Sequence, residues 1–292
     1  MIKPKMPKKL SFYPLFLLIF LLSACGKSNQ STPQHIMPPD SAARAQLREI
    51  IGDTSKADSV FMPDIERLLP PLDSVEAVLG RALSQEKGVR LYGVVIPFRQ
   101  SIITAPGGVI FIGLNHYLGE DYEGYKGVFP SYVRHRKSIE RLPVDVMQAR
   151  MASLYPPEFA ASPTLLNRLI YQGALMEAAN DMIDAPDSTL TGLTAEDLQW
   201  CEENEGNIWL TLIDRNLLYS TDSAVADRLL QPAANSNMIN ANAPGQAVLY
   251  TALKLVRSYC KETGNTAKQI LENRLYNDNK TLIQSQYAPV RQ

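Results

Sequence analysis

Apolar residues recur at helical spacing along most of the chain, and this pattern predicts a mainly α-helical protein. The segments with this spacing are 41–51, 62–83, 142–155, the segment around Gln172, 194–220 and 244–263. Pro70 and Pro71 divide the second of them, because proline lacks a backbone N–H and clashes with the preceding turn. Thr266 is expected to cap one more helix, since Gln269 stands at its capping-box position.

Capping signals mark the ends of several of these helices. Ser162 and Pro163 predict the N-cap and the first-turn proline of the helix that holds Gln172. Thr194 predicts the cap of the following helix, and Gly264 predicts the end of a later one. The pattern after Thr194 continues without a break, so a single long helix is expected there.

Two stretches have the composition of β-strands. Residues 89–98 and 107–119 are rich in β-branched and aromatic side chains, which pack well on a pleated surface. The residues between them end in Pro106-Gly107-Gly108, which is a turn signal. A small sheet followed by several helices predicts an α+β fold that is mainly α-helical with a small β-sheet.

The start of the chain has the order of a secretory signal. A lysine-rich stretch precedes an uncharged apolar run at 10–22, which is too short to span a bilayer comfortably. The motif "LSAC" that ends at Cys25 resembles a bacterial lipobox. That resemblance implies lipid transfer to Cys25, cleavage before it and acylation of the new amino terminus. Residues 1–24 are therefore predicted to be a lipoprotein signal peptide; the alternative is a buried cysteine near a membrane helix.

Composition divides the rest of the chain into a tether and one domain. Residues 25–40 are polar and rich in Pro, Ser and Gln, so they bury too little apolar area to offset the entropy of ordering and predict a flexible tether. Residues 41–292 hold enough Leu, Ile, Val and Tyr for one core, which predicts a single domain. The formal net charge of −1 becomes more negative once the four lysines of the signal peptide are removed. This acidic balance argues against nucleic acid as a partner.

Two cysteines remain besides Cys25, namely Cys201 and Cys260. They could form a disulfide in an oxidising envelope. They could instead be small buried apolar residues on amphipathic helices. The sequence leaves both alternatives open.

Five separate blocks of the sequence carry a family resemblance. They lie at 109–136, 164–178, 198–222, 244–259 and 287–289, and the second contains "YQGALMEA". In order and spacing these blocks resemble the GldB family of gliding-motility lipoproteins from Bacteroidetes. The resemblance covers nearly the whole chain after the signal peptide, and it implies an envelope lipoprotein linked to gliding motility.

That family is similar to gluzincin-type zinc peptidases, in which one helix carries HExxH and a later helix carries a glutamate ligand before a glycine. Such chemistry needs two imidazoles four residues apart, a glutamate as general base and a third ligand that leaves one zinc position open. The resemblance places Met147 and Met151 at the histidine positions, Gln148 at the base and Gln172 at the third ligand. A neutral amide cannot take a proton from water, and zinc seldom binds methionine.

The histidine content leads to the same conclusion. The chain has three histidines, His35, His116 and His135, and no two of them stand four residues apart. The sequence therefore holds no HExxH motif. We expect a zincin-like but degenerate cleft without metal or cofactor, in which Gln148 and Gln172 are satisfied by hydrogen bonds.

Two further segments admit a binding role. Residues 116–127 hold Glu120, Asp121 and Glu123 among tyrosines and glycines; they could bind calcium or a partner, but a surface loop is favoured. Residues 134–137, Arg-His-Arg-Lys, could meet anionic lipid headgroups. A solvated helix face is the commoner role of such a run.

Two classes of function remain. The first is a membrane-anchored envelope lipoprotein of the GldB type, a non-catalytic accessory or assembly factor for gliding motility or the related envelope machinery. Its partners would be the membrane, through acyl chains on Cys25, and envelope or motility-machinery proteins. Gly26 provides no aspartate retention signal, which favours the periplasmic face of the outer membrane. The alternative is a metal-dependent hydrolase with a non-standard, zinc peptidase-like site.

Overall fold

The computed structural model describes residues 34–290, in which the chain forms helices and a small sheet. The helices are α1 (Ser41–Ile51), α2 (Ser55–Leu68), α3 (Asp73–Ala82), α4 (Ser131–Arg134), α5 (Leu142–Leu154), α6 (Leu165–Ile183), α7 (Asp187–Thr191), α8 (Ala195–Glu203), α9 (Glu205–Asp214), α10 (Ser223–Leu230), α11 (Ala247–Thr263), α12 (Ala267–Glu272) and α13 (Lys280–Ser285). The strands are β1 (Ile36–Met37), β2 (Arg90–Val94), β3 (Ile102–Ala105) and β4 (Val109–Gly113). The predicted α+β fold, mainly helical with a small sheet, is confirmed.

The strands form one mixed sheet in the order β1-β2-β4-β3. Strand β2 runs parallel to both β1 and β4, whereas β3 and β4 form an antiparallel hairpin. Gly107 and Gly108 make the turn of this hairpin with φ angles of +77° and +75°, which glycine adopts without steric cost. Strand β3 is not predicted from the sequence, because it lies in the connection between the two predicted strands.

Alternate residues of the sheet face two different hydrophobic clusters. Leu91, Ile110 and Ile112 face the large helical core. Tyr92 and Phe111 belong to a second cluster, which includes residues of α1. The sheet is therefore covered by helices on both faces, as expected for a largely parallel arrangement whose central strand is apolar throughout.

The folded part of the chain begins earlier than the sequence predicts. Residues 34–40, whose composition predicts a tether, hold strand β1, in which Ile36 pairs with Leu91. The backbone N–H of Ile36 also donates to Glu76 Oε1 at 2.8 Å, and Asp40 caps helix α1. Composition could not reveal this order, because the partner of Ile36 is a side chain 40 positions away.

The described residues belong to one compact unit. The signal peptide at 1–24, the lipid attachment at Cys25 and the predicted tether up to residue 33 lie outside them and stay predictions. Within residues 34–290, no helix combines the length and the apolar character that a membrane span requires.

Most of the predicted helices and their end signals are confirmed. Helix α1 has the predicted bounds, and Pro70 and Pro71 lie in the break between α2 and α3. Thr194 caps α8 through its side chain, and Gly264 ends α11 with φ of +72°. Thr266 forms the expected capping box at the start of α12.

Two details of the helical prediction are wrong. Helix α6 is capped by Thr164 instead of Ser162, because Thr164 and Asn167 exchange the two hydrogen bonds of a capping box. The segment after Thr194 forms two helices, α8 and α9, instead of one. The chain turns between them at Asn204, where φ is −117°.

Helix α6 lies at the centre of the helical core. It packs against α11 along one side and against α5, α12 and α3 on the others. Gly173 allows α6 and α11 to approach closely, since a Cβ atom at this position would lie 2.3 Å from the carbonyl oxygen of Ala252. The glycine of the "YQGALMEA" block therefore has a packing role.

Candidate functional site

Two of the four residues assigned to a degenerate cleft are packed in the hydrophobic core. Met147 and Met151 on α5 belong to the hydrophobic core, where they are 0% and 4% exposed. Gln148 Nε2 donates a 2.9 Å hydrogen bond to the carbonyl oxygen of Leu190, as predicted for a satisfied amide. Gln172 on α6 is half-buried, and its side chain makes no hydrogen bond to another residue within 34–290, so the hydrogen bonds predicted for this amide are not found there. None of these positions lines any of four cavities in the described part, and α5 and α6 pack directly on each other.

The block at 171–178 joins three helices. Arg257 of α11 donates to Glu177 Oε2 at 2.7 Å and to Asp187 Oδ2 at 2.8 Å. Glu177 belongs to α6 and Asp187 to α7. Together with the close approach at Gly173, these ion pairs give the block a structural explanation that requires no ligand.

The basic run at 134–137 folds inward, so its assignment to a solvated helix face is wrong. His135 Nε2 and Arg136 Nε both contact the carbonyl oxygen of Gly192, at 2.7 Å and 2.8 Å. Lys137 Nζ lies 3.2 Å from His116 Nδ1 and 4.4 Å from the centre of the Phe129 ring. Gly192 lies 57 positions from His135 and His116 lies 21 positions from Lys137, and sequence spacing does not reveal such partners.

His116 is a buried neutral imidazole. It is 1% exposed, and burial, together with the charge of Lys137, lowers its pKa to about 4. An ammonium group can only donate, so Nδ1 accepts from Lys137 and Nε2 carries the proton. Nε2 lies 3.2 Å from the carbonyl oxygen of Ile96, to which it donates.

Asp145 on α5 provides the carboxylate of this region. Arg141 Nε donates to Asp145 Oδ1 at 2.7 Å, and the Tyr117 hydroxyl donates to Oδ2 at 2.9 Å. Arg141 also donates through Nη1 to the carbonyl oxygen of Thr189. We call His135, Arg136, Lys137 and Arg141 the basic cluster.

A cavity of about 320 Å³ opens beside the basic cluster. Arg136 and Arg141 line it, together with the turn between α7 and α8, and Glu120 and Glu140 lie at its edge. Gly192 in that turn has φ of +71°, and a Cβ atom there would lie 2.8 Å from Arg136 Nε and 3.1 Å from Arg141 Nη1. A glycine is therefore needed to let both guanidinium groups reach the turn. We call this space the basic cavity.

Burial disfavours the charges of two members of the basic cluster, Arg136 and Lys137. Burial, together with the neighbouring charge of Arg141, lowers the pKa of Arg136 to about 10, and burial lowers the pKa of Lys137 to about 8. Groups with perturbed pKa values in a cavity are typical of functional sites. The sequence shows the basic run at 134–137. The turn at Gly192, whose carbonyl oxygen this run contacts, lies more than fifty residues further along the chain, so the sequence does not indicate the site.

The remaining candidate positions carry no such arrangement. Cys201 is buried and Cys260 is half-buried, and both are free thiols, so they do not form a disulfide. In the loop at 116–127, the Tyr122 hydroxyl donates to Asp64 at 2.6 Å and the buried Tyr125 donates to the carbonyl oxygen of Asn115 at 2.8 Å. No group of three or more His, Cys, Asp or Glu side chains in the described part is arranged to hold a metal ion.

The fold and the site define a mainly helical α+β protein with a small mixed sheet and a half-buried basic cavity. The family model described as gliding motility protein GldB matches residues 3–289. The chain therefore belongs to the GldB family, which associates it with gliding motility, and the family is designated as one of lipoproteins. No curated protein and no solved structure matched the chain in the comparisons.

Proposed function

We propose that the chain is a membrane-anchored envelope lipoprotein that acts as a non-catalytic accessory or assembly factor for gliding motility or the related envelope machinery. The observation that carries the non-catalytic role is the position of Met147 and Met151. These residues occupy the places that the resemblance to zinc peptidases gives to two histidine ligands, and both are buried in the core. On this proposal α5 and α6 are a zincin-like pair of helices whose metal-binding positions have become packing positions.

The proposed location follows from the amino-terminal motif. Acyl chains on Cys25 would anchor the protein, since several chains bind a membrane stably whereas a single chain does not. The periplasmic face of the outer membrane is the proposed side, and envelope or motility-machinery proteins are the proposed partners. The acidic balance of the chain supports partners other than nucleic acid.

Replacing Cys25 by alanine should abolish fatty-acid labelling and block processing of the signal peptide. The thioether to diacylglycerol needs the cysteine sulfur, so no other residue of the motif can substitute. Metabolic labelling with palmitate, followed by immunoprecipitation of full-length protein, measures the effect. Cys201→Ala is the matched control and should be labelled normally. Palmitate incorporation into the Cys25→Ala protein would refute the proposed anchor.

Purified protein should carry far less than one zinc ion per chain, and EDTA should leave its melting temperature unchanged. A bound metal would stabilise the folded state by its binding free energy, which a chelator removes. Elemental analysis and thermal unfolding with and without EDTA measure both quantities. Stoichiometric zinc, or peptidase activity that a chelator inhibits, would instead favour the alternative of a metal-dependent hydrolase.

The substitution Gln172→Glu extends this test. A carboxylate at a half-buried position without metal must be partly desolvated or protonated. We therefore expect a loss of about 1 kcal/mol in the free energy of unfolding, and no gain of zinc binding. Gln172→Ala is the matched control for the loss of the amide. Zinc-dependent stabilisation of the Gln172→Glu protein would show that the other ligands of a metal site are present.

A further inference from the structure

Two guanidinium groups, those of Arg136 and Arg141, line the basic cavity, whereas Lys137 faces His116. Asp145 is the one carboxylate that hydrogen-bonds to any of these three cations among residues 34–290. Arg141 pairs with Asp145, but neither Arg136 nor Lys137 has a carboxylate within 4.0 Å in the described part of the chain. Charges that leave bulk water are normally paired. Within residues 34–290 the Arg136 guanidinium therefore has no directly paired carboxylate, and an anion bound in the cavity would supply that partner.

Arg136 is the group best placed to receive that anion. Its Nε donates to the carbonyl oxygen of Gly192, which holds the planar guanidinium in one orientation. Its Nη atoms have no hydrogen-bond partner within residues 34–290, and the side chain lines the cavity. A guanidinium fixed in this way offers two parallel N–H groups to an oxyanion.

Other donors converge on the same space. Arg141 is held against the same turn, and its side chain is 12% exposed. The amino-terminal end of the nine-residue helix α8 also borders the cavity, through Thr194 and Ala195. The positive end of a helix favours a negative group. Donors that approach from several directions suit the tetrahedral oxygens of phosphate better than the two oxygens of a carboxylate.

The edge of the cavity has the opposite charge. Glu120 and Glu140 line it and are exposed, whereas the arginines lie deeper. Carboxylates at the mouth would repel a ligand that carried only negative charge. They would attract a ligand whose phosphate enters the cavity while an attached ammonium group remains at the mouth.

We propose that the basic cavity binds a phosphodiester that carries an amine, with the phosphate on Arg136 and Arg141 and the ammonium group at Glu120 and Glu140. An ethanolamine phosphodiester has this chemistry, and a cavity of about 320 Å³ is large enough to enclose such a headgroup. The same group occurs in a phospholipid and in a soluble glycerophosphodiester. The inference does not depend on the proposed non-catalytic role, since it rests on charges and distances outside the zinc peptidase-like positions.

Isothermal titration of the full-length protein in detergent with glycerophosphoethanolamine tests the proposal. We expect saturable binding of one ligand per chain. Arg136→Gln should weaken binding at least about tenfold, because charge-assisted hydrogen bonds are lost. Arg136→Lys should retain part of the affinity, and it serves as a second variant if the glutamine variant unfolds. Arg81→Gln, at an exposed arginine of α3 far from the cavity residues in sequence, should bind as the wild type does.

Two further ligands separate the parts of the proposal. Glycerophosphoglycerol is a phosphodiester that lacks the amine. It should bind the wild type more weakly than glycerophosphoethanolamine does, whereas the Glu120→Gln, Glu140→Gln double variant should bind the two ligands equally. A short-chain phosphatidylethanolamine that binds at least about tenfold more tightly than the soluble diester would identify a lipid as the source. Equal affinities would identify the soluble diester. Absence of saturable binding, or unchanged binding by Arg136→Gln, would overturn the proposal.

Discussion

Substitution of Gly173 by alanine should destabilise the protein by about 3 kcal/mol or more. The new Cβ atom would lie 2.3 Å from the carbonyl oxygen of Ala252 and 2.8 Å from Val256 Cγ2. The first of these atoms belongs to the backbone of α11, so it cannot rotate away. The helices α6 and α11 would have to separate at the centre of the core, and overpacking of this kind costs about 1–3 kcal/mol or more. In a solvent-exposed helix the same substitution would stabilise the protein by about 1 kcal/mol. A loss of stability therefore supports the close approach of α6 and α11, whereas a gain contradicts it.

Urea unfolding followed by circular dichroism measures this effect. Gln172→Ala is the matched control, because Gln172 is the preceding residue of the same helix and is half-buried. We expect that control to stay within about 1 kcal/mol of the wild type. A Gly173→Ala protein as stable as the wild type would contradict the close approach of α6 and α11.

Lowering the pH from 7 to 4.5 should remove about 2–3 kcal/mol of stability through His116 alone. The pKa of His116 is lowered from 6.5 in the unfolded chain to about 4 in the folded protein. The unfolded chain therefore binds a proton that the folded protein excludes between these two values. The contribution of this histidine is fully present above pH 6.5 and is lost as the pH falls towards 4.

The variant His116→Gln isolates this contribution from that of other titrating groups. An amide can still donate to the carbonyl oxygen of Ile96, but it does not titrate. The variant should be less stable than the wild type at pH 7, and the difference should shrink by about 2–3 kcal/mol at pH 4.5. Urea midpoints at a series of pH values give both curves. Parallel curves for the two proteins would refute a buried neutral His116.

Local sequence signals predicted the helical elements well. Thr194, Gly264 and Thr266 act as the predicted caps or ends, because capping depends on residues within one turn of the helix end. The two errors, at Ser162 and Asn204, are also local. At the start of α6 a competing residue, Thr164, forms the cap, and at Asn204 a change in one backbone angle divides the helix. The apolar pattern does not indicate either boundary.

The short strands could not be predicted in the same way. Strand β1 has two residues and follows a polar segment that is typical of a tether. It is ordered by pairing with β2 and by Glu76. Strand pairing joins residues that are distant in sequence, so no window of neighbouring residues contains the information.

In the candidate site, too, the sequence indicates some features and only the tertiary structure shows the others. Residues 134–137 stood out as a basic run, but their charge alone favoured a solvated face. The structure turns Arg136 towards Gly192 and Lys137 towards His116. The zinc peptidase-like positions were identified from a resemblance, yet only packing shows that Met147 and Met151 lie in the core.

The sequence by itself determined the family, the α+β class, most helix boundaries and the lack of an HExxH motif, because each of these depends on residue identity or on spacing within a few turns. Tertiary structure decided which polar groups are buried and which hydrogen-bond or ionic partners they have in the interior. Burial changes the free energy of a charge by an amount that depends on every surrounding group. The basic cavity and the packing role of Gly173 therefore became visible only when segments more than fifty residues apart were brought together. The neutral His116 likewise depends on Ile96 and Lys137, which lie 20 and 21 positions away along the chain.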